Sequence, residues 1–207
     1  MPNLIQLSVD SNVSAVRLGI AGGFIACVAY PLASFVPLPM RATAAIAACF
    51  GPALVVACFG LKALLDAGKQ TSASALGFLL NALAGALFSA MALVQIAVGS
   101  LVKDRTNFLA MNGIWLGLDK AFDIYIGLGT IFFAIAMLRH PRFGRVFSIF
   151  GLAIGAGLMV LNFYTFPAPP ANAGFIDPGP AIGFWYLAVT IQMSRSLAWA
   201  RDRASGA

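Results

Sequence analysis

Glutamate is absent from this 207-residue chain, and charge of either sign is scarce: seven Asp and 13 Lys or Arg make up only 10% of the residues. A soluble domain carries about a quarter, so an ordinary water-facing surface cannot be built from this composition. Histidine occurs once, at His140. That excludes, within one chain, a bis-histidine haem, a histidine-rich copper or iron centre and an HExxH zinc site. The three cysteines, Cys27, Cys49 and Cys58, lie inside apolar runs with no CxxC spacing; they read as small hydrophobes, and no disulfide is expected. There is no GxxxxGK[ST] and no GxGxxG after a strand-like run, so the phosphate-cradling loops of nucleotide enzymes are missing too. No catalytic residue, metal site or cofactor is expected from these patterns. The net charge of +6 is scattered along the chain rather than massed on one segment, which argues against a nucleic-acid partner and reads as membrane topology.

What is present in quantity is apolar sequence: 60% of residues are hydrophobic and the mean hydropathy is +0.90. A bilayer core needs about 20 apolar residues in helix, because each residue rises about 1.5 Å and every backbone polar group must be satisfied internally. Six runs meet that length, at 18–38, 42–65, 76–99, 117–138, 146–166 and 180–199. Stretches such as "LVVACFGLKALL" are apolar on every face, unlike the alternating strands of a membrane barrel. The expected fold is an all-α, polytopic bundle of six transmembrane helices forming one domain over residues 1–207. Pro31 within the first run predicts a kinked helix.

The bases then set the orientation. With six spans one side carries Arg17, Lys62, Lys69, Arg139, Arg142, Arg145, Arg195, Arg201 and Arg203, and the other carries Arg41, Lys103, Arg105 and Lys120. Nine against four places both termini in the cytoplasm. Lys62 and Arg195, near span ends, are expected to snorkel to the headgroups. The turn "RHPRFGR" packs Arg139, Arg142 and Arg145 into seven residues and is expected to contact anionic lipid headgroups, with His140 a solvated loop residue. Two extracytoplasmic connections are unusual. Residues 103–116 are too short and polar to span, and predict a short interfacial helix. Residues 167–179 hold four prolines and predict an extended lid.

Polar groups gather near these connections. Asp119 and Asp123, four residues apart, share a helix face, with Lys120 about 100° round. Tyr125, Asn162, Tyr164, Trp185 and Tyr186 fall in the same outer half of the bundle and define, with the two carboxylates, a candidate ligand or ion pocket. The bland alternative makes these aromatics an interfacial belt and Asn162, like Asn81, Gln95 and Gln192, an amide that bonds a neighbouring helix. The spacings Gly19/Gly23, Gly113/Gly117 and Gly151/Gly155 allow close helix approach, within the bundle or between copies.

The stretch "DIYIGLGTIFFAIAMLRHPRFGRVFSIFGLAIG", from Asp123 to Gly155, combines an Asp early in a helix, the pair Gly127 and Gly129, a basic turn with Arg139, Pro141, Arg142 and Gly144, and a glycine-bearing span. In these elements the chain resembles an uncharacterised bacterial family of small multi-pass inner-membrane proteins. The resemblance implies a bacterial inner-membrane location and carries no activity with it. The residues themselves favour a non-enzymatic accessory, assembly or sensor bundle, whose partners are membrane lipids and either another membrane protein or a second copy. A small transporter or channel built around Asp123 is the alternative. An enzyme using Asp119 and Asp123 is disfavoured, since neither a histidine nor a Ser or Cys nucleophile accompanies them.

Overall fold

The computed structural model describes residues 4–101 and 103–204. Among these the chain forms seven α-helices and no strand: α1 (Leu4–Phe35), α2 (Met40–Gly68), α3 (Ser72–Leu101), α4 (Arg105–Met137), α5 (Gly144–Thr165), α6 (Gly179–Arg195) and α7 (Leu197–Ala204). A short 3-10 turn, Pro170–Ala173, lies between α5 and α6. Five of the helices are long and apolar enough to cross a membrane: α1 from Asn12, α2, α3, α4 from Asn107, and α5. The all-α, multi-pass reading holds at this level.

Two boundaries differ from expectation. The interfacial helix expected at 103–116 and the span expected at 117–138 are one continuous helix, α4. Asp104 caps it, its carboxylate accepting from Asn107 N–H at 3.0 Å. No proline interrupts the following turns, and once nucleated a helix propagates through isolated glycines such as Gly113 and Gly117. The last run, 180–199, is divided. α6 stops at Arg195, about 25 Å from its start at 1.5 Å per residue, and Trp199 belongs to α7. At the break Ser196 N–H donates to Met193 O, and the Ser196 hydroxyl donates to Gln192 O at 2.7 Å. The chain turns there because a serine side chain competes for the backbone carbonyl.

Short connections make consecutive helices neighbours. α1 packs on α2, α2 on α3, α3 on α4, α4 on α5 and α5 on α6, and α6 returns to α1, closing a ring. α7 covers one end of the ring, against α1 and α2. Glycines set the spacing. A Cβ on Gly60 would sit 2.5 Å from Gly19 Cα, and one on Gly51 would sit 2.2 Å from Gly85 O. The α1–α2 and α2–α3 backbones therefore touch directly, as small-residue faces allow. Gly113 and Gly117, by contrast, have nothing within 4 Å.

The polarity is inverted relative to a soluble protein. Outward positions are apolar, with Val146 80% and Phe163 61% exposed, while Asn81, Thr130, Ser148 and Asn162 are buried. Such an exterior suits lipid, where exposed hydrocarbon carries no penalty.

The contact geometry yields a contrast that can be measured. Gly60→Val should force α1 from α2 and lower stability by roughly 1–3 kcal/mol. Gly113→Val, in open space, should leave the melting temperature in detergent unchanged within error.

Candidate functional site

Three groups of polar side chains lie inside or at the ends of the ring. The first is at the end carrying the α5–α6 connection. Lys120 leaves α4 towards α5 and is only 4% exposed. Its ammonium donates to Asn162 Oδ1, and Asn162 Nδ2 donates to Leu158 O at 2.9 Å. Asn162 also lies near enough to Asp123 to act on its carboxyl group. Asp119 and Asp123 are half-buried. Asp177, from the connection, lies close enough for its charge to act on both and on Tyr30 of α1. The Gly179 N–H donates to Asp177 Oδ1 at 2.8 Å and holds this carboxylate at the start of α6. Beside the Lys120–Asn162 pair a cavity of about 260 Å³ is lined by Ile124, Phe163 and Phe166. Its wall fits a hydrocarbon segment rather than a polar solute.

The structure thus brings Asp119, Asp123 and Asn162 together, and it adds Lys120, Asp177 and Tyr30. The four expected aromatics are placed elsewhere. Tyr125 packs on the main hydrophobic core. Tyr164 is 75% exposed and turns its ring edge-on to Phe175, centroids 5.7 Å apart. Trp185 is buried and donates from Nε1 to Phe147 O at 2.9 Å. Tyr186 belongs to the second group.

That second group is a knot in the centre of the ring. Tyr186 Oη on α6 donates to Asn81 Oδ1 on α3 at 2.6 Å and accepts from Thr130 Oγ1 on α4 at 3.4 Å. Cys58 of α2 is fully buried, with its thiol against the same hydroxyl. Asn81 Nδ2 donates in turn to Gly77 O at 2.7 Å. Gly129 makes the room, because a Cβ there would lie 2.2 Å from Asn81 Nδ2. Four helices meet at one phenol. Asn81 does act as an interhelical amide; Gln192 instead donates to the Arg142 carbonyl in the α4–α5 turn, and Gln95 is exposed.

The third group is the turn between α4 and α5. Arg142 is no free lipid anchor: its Nε donates to Ser196 Oγ at 3.2 Å and its Nη2 to Arg195 O at 3.1 Å. Arg139 and Arg145 are exposed. His140, expected in solvent, is 6% exposed, because the turn folds under α7 rather than away from it. Lys62 pairs with Asp66, four residues on along the same face of α2, at 2.6 Å, and the Ser74 hydroxyl donates to the other Asp66 oxygen at 2.6 Å.

Among the described residues no group of three or more His, Cys, Asp or Glu is placed to hold a metal ion. The three carboxylates near Asn162 share a neighbourhood without sharing one point. No family model, curated protein or solved structure matches the chain.

The knot makes a quantitative prediction. Tyr186→Phe leaves Asn81 Oδ1 without its donor and should cost on the order of 1 kcal/mol. In a double-mutant cycle with Asn81→Ala, measured by unfolding in mixed micelles, the two losses should be non-additive.

Proposed function

We propose that the chain is a non-enzymatic bundle of a bacterial inner membrane, acting as an accessory or assembly subunit or as a small sensor. The observation that carries this reading is where the interior polar groups direct their hydrogen bonds. Tyr186, Asn81, Thr130, Lys120 and Asn162 bond one another across helix pairs, as residues that join helices do. A conduction path would instead call for polar groups facing a shared space from end to end.

On this reading α6 is the sixth crossing and both termini are cytoplasmic. Support for the crossing comes from its two ends: the start follows the α5–α6 connection, and the finish is bonded to the α4–α5 turn through Arg142. Support for the orientation comes from the nine bases on that side. Arg139 and Arg145 are the residues that contact anionic headgroups. The family resemblance of the segment from Asp123 to Gly155 agrees with this location.

The test is gentle extraction into nanodiscs followed by mass spectrometry of whatever accompanies the protein. A partner membrane protein or a second copy in fixed stoichiometry is the expected result. A lone chain that binds nothing but bulk lipid would count against an assembly role.

One observation favours the second reading, a small transporter or channel: Asp177 comes from a separate part of the chain to within electrostatic reach of Asp119 and Asp123, so acids from two parts of the chain gather at the end carrying the α5–α6 connection. A cation or proton would enter from that end. In proteoliposomes Asp123→Asn should then abolish ion-coupled flux, and flux that is present and unaltered in the variant removes this reading.

A further inference from the structure

The α4–α5 turn holds a histidine in a place that suits only its neutral form. The His140 ring is 6% exposed and fills a slot opened by Gly68 at the end of α2, where a Cβ would fall 2.7 Å from the ring. Trp199 of α7 meets it edge to face at 5.2 Å between centroids, and Phe143 lies at 5.4 Å. The Arg142 N–H donates to His140 Nδ1 at 3.3 Å. With Nδ1 an acceptor, the proton of the neutral ring sits on Nε2. Nε2 is buried and has no partner in hydrogen-bond geometry.

Burial moves His140 below the ordinary histidine value; the Leu64 carbonyl of α2 opposes that shift, and the charge of Arg142 adds to it. The neighbouring elements carry charges of both signs. The end of α2 carries Lys69 and the mutually paired Lys62 and Asp66. α7 carries Arg201, Asp202 and Arg203, with Arg203 placed 5.8 Å over the Trp199 ring.

What the ring holds down is slight. α7 has eight residues, and beside it a cavity of about 130 Å³ lies between α1, α2 and α7, lined by small apolar side chains such as Val16, Ala63 and Ala200 together with Asn12 and Arg203. α7 is also held by its packing on α1 and α2 and through Ser196, bonded by Arg142.

We propose that His140 and α7 form an acid-released latch, in which protonation of the imidazole drives the ring from between Gly68 and Trp199 and frees α7 from the end of the bundle. Protonation sets a second donor against the Arg142 N–H at Nδ1 and leaves a charged ring buried with no acceptor in hydrogen-bond geometry at Nε2, which is costly. The sign follows from linkage. A freed ring titrates near 6.5, so docking is at full strength above that pH and weakens as the pH falls from there towards the lower value of the docked ring. The device goes beyond the assembly or sensor reading: it names the input, a proton on the face carrying the α4–α5 turn, and the moving part.

Hydrogen exchange of the full chain in nanodiscs, at pH 7.5 and pH 5.0 and corrected for intrinsic rates, tests it. Protection of the α7 amides should fall several-fold on acidification, as linkage of docking to the uptake of one proton requires. His140→Phe, which keeps an uncharged ring in the slot, should be protected equally at both pH values. If that variant packs too poorly to dock α7, His140→Gln takes its place and should likewise lose the pH dependence. Equal protection of the native chain at both pH values, or the same acid-induced loss in whichever variant docks, would overturn the proposal.

Discussion

The hydrogen bond from Tyr186 to Asn81 joins residues 105 positions apart at 2.6 Å, and the ring of helices closes around it. Hydrocarbon gives helices no hydrophobic reason to associate, since lipid tails are as apolar as their side chains. Contact must come from close packing and from polar groups with no better partner. Both meet here: Gly77 and Gly129 let α3 and α4 approach, and the space they leave admits one amide. The phenol then draws α6 inward and Cys58 of α2 against it. Trp185, one residue earlier on α6, extends the attachment to α5 through Phe147.

The same reasoning explains the distribution of charge. Lys120 and Asn162 pair near one end of the bundle, and Lys62, Asp66 and Ser74 associate at the other. Among the described residues the groups that bond across the centre, Asn81, Thr130 and Tyr186, are uncharged. Charged side chains at the membrane centre are costly, and near the ends they find water, headgroups or each other. Arg142 shows how a basic turn residue can serve inward instead, clamping the α6–α7 junction.

Helix positions were legible in the sequence because the breakers are: Pro37 and Pro39 separate the first pair, Lys69 and Gln70 the second, and the prolines after Phe166 the fifth and sixth. Helix rotation was not. In a helix apolar on every face nothing in the periodicity says which stripe turns inward, so Trp185 and Tyr186 were placed at the mouth when they face the centre. Asp119, Asp123 and Asn162 were legible as near neighbours because their heights along α4 and α5 follow from counting residues. Asp177 was not, since its position depends on the path of a thirteen-residue connection, 166–178, and on its bond to Gly179. The α4 boundary was misread for another reason: polar residues 103–107 look like an aqueous segment, yet Asp104 makes them a helix start.

Because the ring closes only when α6 meets α1, its order of assembly is fixed by its order of synthesis. Asn81 enters the bilayer long before Tyr186 exists. At roughly 5–20 residues per second, the 105 intervening positions correspond to about 5–20 s. Until α6 follows, α1 to α5 form an open row in which the Asn81 Oδ1 lacks its donor, resembling an unzipped seam. Whatever receives the nascent helices must shelter that oxygen until the last one arrives, so a ribosome stalled before α6 leaves an intermediate with a polar edge in lipid.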